Sequence, residues 1–364
     1  MQTQIDPTPY YQRLFYNLVS LSLIMALLYM GQGILVPLFF SILMASVLLP
    51  AVSYLERKGV YRFIAILLML VASFIFIVAV SYFLTDQMVN FFDDLPLIQR
   101  RLNNLEYTIH VWVRSTFSIT IHTQNKYIDD SFSRLSASGT GAFGAMATIT
   151  EVLSYIVLLP VYTFLLLYYR TMIKLFLIRS FQRVASSEVL DMIQASQDVS
   201  QKYIAGLMID MVIVFGLNAS GFLLLGIKYA LFLALVAAIL NLVPYLGMLV
   251  ANIFCMLITL ISGDTMMISQ VVWVGLILGA VQVIDNNFLT PLVIGAKVRI
   301  NSLATIIGVL VGGYLCGAPG MFLSIPGMAV IKVIADRVPG LNALGMLLGD
   351  ERMSTRPVKT NAQP

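Results

Sequence analysis

The chain is a succession of long apolar runs separated by two polar segments. Residues 14–55 contain no Asp, Glu, Lys or Arg. A helix of that length extends roughly 60 Å, about two bilayer cores, so the run predicts two helices, with Gly31, Gly33 and Pro37 at the turn. Further spans are predicted over 63–85, over 148–169 with Pro160 as a kink, over 204–226 and over 267–290. Two more runs, 229–263 and 300–331, are also uncharged. The first is interrupted by Asn241, Pro244 and Gly247, the second by Gly317-Ala318-Pro319-Gly320. Each reads as a pair of helices or a broken, re-entrant hairpin. The resulting expectation is an all-α, polytopic integral membrane protein with about eight crossings.

The polar segments are 86–146 and 170–202. Within the first, Ile98, Leu102, Leu105, Ile109 and Trp112 recur at helical spacing. That spacing predicts an amphipathic helix, suited to packing on a neighbouring subunit or lying on the membrane face. The organisation expected is therefore helices 1–3 in 1–85, an extracytoplasmic helical segment in 86–146 and a fourth span in 147–169. A cytoplasmic helical segment follows in 170–202, then a transport core with broken helices in 203–337 and a cytoplasmic tail in 338–364.

Composition sharpens the class. The chain is 59% hydrophobic and 11% charged, whereas soluble domains carry about 25% charged residues. The net charge of +4 is small, and its bases cluster in loops, which points to lipid and not to nucleic acid as the partner. Arg13, then Arg57, Lys58 and Arg62, then Arg170, Lys174, Arg179 and Arg183 alternate as expected for a cytoplasmic N-terminus. If both broken runs are hairpins, Lys297/Arg299 and Lys332/Arg337 return to the same side and the C-terminus is cytoplasmic too. The first thirteen residues show no signal-peptide arrangement. Cys255 and Cys316 lie in apolar runs, where cysteine packs as a small apolar side chain. No P-loop motif or H-E-x-x-H pair occurs, and neither a cofactor nor a metal is expected.

The candidate chemistry lies in Asp285, Asn286 and Asn287, which close an apolar stretch just before Pro291 and Gly295. An ionised carboxylate at the hydrocarbon centre costs several kcal/mol, so Asp285 must be paired, hydrated or protonated. It reads as a proton or cation relay or a solute anchor; the alternative is an interfacial acid paired with Lys297 or Arg299. The amides read as solute-binding groups or as interhelical hydrogen bonds. Three successive residues point about 100° apart, so at least one must face protein. Asn241, with the breaks at Pro244 and Gly247, forms a second candidate. Irregular backbone at membrane depth survives only inside protein or beside a wet cavity. Two such breaks, here and at Gly317, Pro319 and Gly320, fit discontinuous segments meeting at a site. Asp210 reads either as a second titrating group or as an acid near the cytoplasmic boundary. Gly308, Gly312 and Gly313 permit close helix contact.

These residues carry a resemblance. Asp285-Asn-Asn-Phe-Leu-Thr-Pro291-Leu-Val-Ile-Gly295, the stretches Ile307–Gly313 and Gly317–Pro326, and upstream Asn241-Leu-Val-Pro-Tyr-Leu-Gly247 resemble the blocks of the AI-2E family of prokaryotic permeases. The resemblance implies a cell-membrane transporter that exports autoinducer-2, a small polar quorum-sensing signal, or a similar solute. Some relatives are assigned sodium (lithium)/proton antiport instead. By position it marks Asp285, Asn286, Pro291 and Gly295 in one block, and Asn241, Pro244 and Gly247 in the other. Two positions depart from the family pattern: Leu292 stands where a base often follows the proline, and Asn301-Ser302 stands where His-Pro is frequent. The readings carried forward are a secondary transporter, with proton coupling, and a cation/proton antiporter. A membrane hydrolase lacks an intramembrane histidine, since His110 and His122 fall in the outward segment. A membrane scaffold would assemble without flux. The 98–112 stripe favours a homo-oligomer.

Overall fold

A computed structural model of the chain describes residues 9–117, 142–180, 186–243, 246–262, 268–293, 300–338 and 341–349. Every regular element among them is helical. In chain order they are α1 (Tyr10–Met30), α2 (Gln32–Arg57), α3 (Arg62–Asp93), α4 (Leu95–Phe117), α5 (Ala142–Tyr168), α6 (Arg170–Ser180) and α7 (Ser186–Leu224). Then come α8 (Ala230–Leu240), α9 (Leu246–Ser262), α10 (Ile268–Ile284), a π-helical turn (Asp285–Leu289), α11 (Thr290–Val293), α12 (Ser302–Ala335) and α13 (Asn342–Leu348).

Five described helices are long and apolar enough to cross a bilayer, six if the bent pair α5–α6 is counted as one span. The bend of that pair is 69° and falls at Tyr169, while Pro160 stays inside α5. Three more apolar helical stretches, Leu14–Met30 within α1 and the helices α8 and α9, are shorter. Helices α8 and α9 have 11 and 17 residues, about 16 and 25 Å, against a hydrocarbon core of about 30 Å. Apolar side chains on the long helices remain uncovered, as on α3, where Phe74, Ile75 and Phe76 are all more than half exposed. Lipid is the solvent that tolerates such a surface. The protein is an all-helical, polytopic membrane protein.

The chain divides into two compact units, Met1–Ser46 with Val161–Ser200 and Arg299–Pro364, and Val47–Pro160 with Gln201–Val298.

In the first unit α12 is folded back on itself. Cys316 and Gly317 leave helical geometry, and Gly317 has φ +62°, a region where glycine alone is unstrained. The two arms pack through glycines: a Cβ on Gly320 would lie 2.0 Å from the Gly312 carbonyl oxygen. Ser324 Oγ donates to Gly308 O at 2.8 Å across the arms. Asn301 caps α12 by accepting from the Ala304 amide at 2.7 Å, and its Nδ2 donates to the Leu347 carbonyl of α13. Asn301 thus ties the start of the hairpin to the last helix.

The second unit is built around α8, α9 and α10. Phe222, Leu233, Cys255, Ile261 and Val274 are fully buried there. Phe91 stacks on Phe232 with ring centroids 4.6 Å apart. The amphipathic α4 packs on its own chain: Ile98 joins this core, and Arg101 Nη1 donates to Ile261 O at 2.9 Å. The side chains of Leu102, Leu105, Ile109 and Trp112 lie outside the described set.

Candidate functional site

Helix α8 ends at Leu240, and the chain turns through Asn241, Leu242 and Val243 before α9. Gly247 is required on the far side of this turn, because a Cβ there would sit 1.7 Å from the Leu240 carbonyl oxygen. That close approach fixes the turn and leaves the Asn241 side chain free to reach α10. Pro244, like Gly295, lies outside the described residues.

At the end of α10 the helix widens into the π turn. Such turns insert one residue per turn and recur at functional sites. Here the extra residue carries Thr290 back over Asp285, and Thr290 Oγ1 donates to Asp285 Oδ1 at 2.9 Å. The other carboxylate oxygen, Oδ2, accepts from Asn241 Nδ2 at 2.9 Å and more weakly from Gln282 Nε2 at 3.5 Å. Asp285 is 4% exposed. A buried carboxylate with donors on both oxygens meets the condition for keeping a charge out of water.

Asp210, on α7, is 5% exposed. Asp285 and Asn241 are the polar neighbours of its carboxyl, and its Oδ1 has no partner among the described residues. The packing beneath the pair is apolar: Val214 of α7, Ala238 of α8 and Val281 of α10 form one buried cluster. Gly221 of α7 meets Ile277 of α10, with the position of a Cβ only 2.8 Å from its side chain. Beside Asp285 lies a small cavity of about 10 Å³, lined among others by Asn218, Asn241, Asn252 and Gln282.

The structure therefore brings together Asp285, Asn241 and Asp210, three of the positions expected from the sequence. It does not bring Asn287 to them, since its Nδ2 donates to Val283 O of its own helix at 2.8 Å. Asn286 is exposed and accepts from Gln282 Nε2 at 3.1 Å. Pro291 sits in α11, one turn past the acid. Gly317, Pro319 and Gly320 belong to the hairpin of the other unit. Sequence reasoning missed Asn218, Asn252, Gln282 and Thr290. The available signal was their polarity inside apolar helices, the same signal that singled out Asp210.

Comparison with known proteins fits this architecture. A family model described as AI-2E family transporter matches residues 18–340. The chain is 25% identical over 321 residues to "Putative transport protein YrrI" of Bacillus subtilis, covering 83% of this chain and 86% of that one. It is 25% identical over 347 residues to YhhT of Escherichia coli K12, named in the same way, covering 93% and 95%. It is 23% identical over 321 residues to the AI-2 transport protein TqsA of Escherichia coli K12, covering 87% and 90%. A match that runs from the first predicted span through the α12 hairpin settles the family: this chain belongs to the AI-2E family of transporters.

Proposed function

We propose that this chain is a secondary transporter of the inner membrane that exports a small polar solute of the autoinducer-2 kind, coupled to protons through Asp285. The observation that carries the reading is the buried carboxylate of Asp285, held by Asn241 from a broken segment and by Thr290 from a π turn. Both holders lie where the backbone departs from regular helix, so a modest change in either turn opens the acid to water or solute. The cavity beside it, at about 10 Å³, corresponds to a closed state. Solute entry requires α8–α9 to move away from α10, and the break between α8 and Gly247 is the hinge. Asn241 is the first solute-binding amide in this scheme, with Asn286 and Asn287 meeting solute at the mouth. The hairpin break at Gly317, Pro319 and Gly320 gives the other unit its own freedom to rock. Both termini are cytoplasmic in this reading, which follows the distribution of Lys and Arg.

A cation/proton antiport reading is favoured by one observation, the adjacency of Asp210 and Asp285, because two carboxyls supply the charge that a sodium ion needs. We also infer a homo-oligomer, with the exposed Tyr107 and Val111 of α4 on the contact face.

Flux in proteoliposomes tests the main reading, with labelled autoinducer-2 and an imposed proton gradient. Wild type should move solute faster with the gradient, and Asp285→Asn should lose that response. No flux above empty liposomes overturns export of this solute; sodium-dependent proton movement in the same vesicles would then establish antiport.

A further inference from the structure

A second cavity, of about 470 Å³, lies against the α12 hairpin. It belongs wholly to the first unit, whereas Asp285 belongs to the second. Leu35, Val36, Phe39, Ile42 and Leu43 line it from α2, at the spacing of one helix face. Leu323, Gly327, Val330 and Ile331 repeat that spacing on the second arm of α12. The two walls also meet directly, where Phe40 stacks on Phe322 with ring centroids 5.5 Å apart. No charged or amide side chain lines the space, and its only hydroxyls are those of Ser200 and Ser324. Ser324 Oγ is spent inside the hairpin, donating to Gly308 O at 2.8 Å and Gly320 O at 2.6 Å. A water needs two to four polar partners, and a polar solute would lose its hydrogen bonds here. The cavity is therefore neither wet nor a copy of the site at Asp285. Its size falls among ligand sites, roughly 300–1,000 Å³, and far exceeds the voids that close packing leaves.

The rim says what fills it. Val36, Leu43 and Pro326 are buried, but Phe39, Ile42 and Ile331, which also line the cavity, are 46, 39 and 49% exposed. These side chains belong to the lipid-facing surface of the long helices, so the cavity is continuous with that surface. A helix of a second copy is too large, since ten residues about 10 Å across fill roughly 1,200 Å³. We propose that the cavity holds one acyl chain of a bilayer phospholipid, which enters from the membrane past Phe39, Ile42 and Ile331. Inside, the chain meets Leu315, Cys316 and Gly320, the point where α12 leaves helical geometry and its arms converge. It replaces the contacts that α2 and the arms cannot make with each other, and so braces the hairpin at its bend. The site is separate from the acid site and stands whether or not the transport reading holds.

Photolabelling of the full chain tests this, with a phosphatidylcholine carrying a diazirine on one acyl chain as the probe in reconstituted vesicles. Label on peptides of α2 and α12 that line the cavity should saturate as the probe fraction rises and fall when unlabelled phospholipid competes. Label at Phe74–Phe76 of α3, exposed to bulk lipid, should rise in proportion to the probe. Gly327 lines the cavity and has nothing within 4 Å of its virtual Cβ, so Gly327→Leu grows a side chain into the space. It should cut cavity labelling at least several-fold. It should also melt no lower than wild type after delipidation, and gain less when phospholipid is returned. Gly279→Leu, the same change at an open glycine of α10 outside the cavity, should leave the labelling unchanged. Cavity label that tracks bulk lipid without saturating, in wild type alone, would overturn the site. So would labelling that survives Gly327→Leu in a protein that melts as wild type. An unlabelled cavity whose Cys316 cross-links to a second copy would give the space to a neighbouring subunit and also overturn it.

Discussion

Asn241 and Asp285 lie 44 positions apart in the chain and meet through a 2.9 Å hydrogen bond from Nδ2 to Oδ2. The bond joins the break after α8 to the π turn after α10. Replacing Asn241 with Leu removes a donor from a buried carboxylate and leaves it facing hydrocarbon. The expected loss is about 1–2 kcal/mol of stability, read as a lowered thermal midpoint in detergent, together with slower proton-driven flux. An Asn241→Leu protein as stable and as active as wild type would remove this bond from the mechanism.

The hairpin of α12 gives a paired prediction. Gly320→Ala would push a Cβ to within 2.0 Å of the Gly312 carbonyl, and overpacking of this kind costs about 1–3 kcal/mol. Gly327 has nothing within 4 Å of its virtual Cβ. Gly327→Ala on the same arm is therefore expected to be neutral or to stabilise by up to about 1 kcal/mol. Unfolding of both variants side by side decides whether close packing of the arms, and not helix propensity, holds the hairpin.

A pH-sensitive latch joins the α3–α4 elbow to the α7–α8 loop. Asp94 Oδ2 accepts from Lys228 Nζ at 2.7 Å and from Tyr229 Oη at 2.5 Å. Lys228, and after it Tyr229, hold the Asp94 carboxyl below the usual carboxylate range; Asp94 in turn holds the Lys228 ammonium above its usual value. An acid depressed in the folded state contributes stability above its unfolded value, about 4, and loses it as pH falls through the lower folded value. A raised lysine contributes fully below about 10 and loses its share as pH rises past that point. The latch is thus closed across neutral pH and opens at both extremes. The difference in thermal midpoint between wild type and Asp94→Asn should be flat near neutrality and vanish in strong acid. A difference that persists there would place the effect of Asp94 elsewhere.

Arg101 fastens α4 to the end of α9 by donating to the Ile261 carbonyl. Arg101→Leu should cost about 1 kcal/mol and raise amide hydrogen exchange over the first turns of α4. Unchanged exchange would mean that Ile98 alone, buried at 3% exposure, anchors the helix.

Much of this protein is legible one segment at a time. Hydropathy locates the helices, because a bilayer demands about 20 apolar residues per span and satisfied backbone throughout. Gly247 and Gly317 mark the breaks because the constraint there is local, a carbonyl pressed against a missing Cβ or a positive φ. Asp285, Asn241 and Asp210 stand out because polar side chains inside apolar helices are costly.

Which of those side chains meet was not a local matter. Asn286 and Asn287 adjoin the acid in sequence, yet they face outward and spend their amides on their own helix. Asp210, 75 positions upstream, lies against it. Thr290 reaches Asp285 only because a π turn replaces an α turn at that point. In an apolar solvent one greasy helix face resembles another, so the pattern of hydrophobic residues does not choose partners between helices. Steric fit does, through contacts such as Gly221 against Ile277. The sequence alone therefore determined the class, the long apolar helices and the places where the backbone gives way. Packing between α7, α8 and α10 decided that two acids and an asparagine share one buried point.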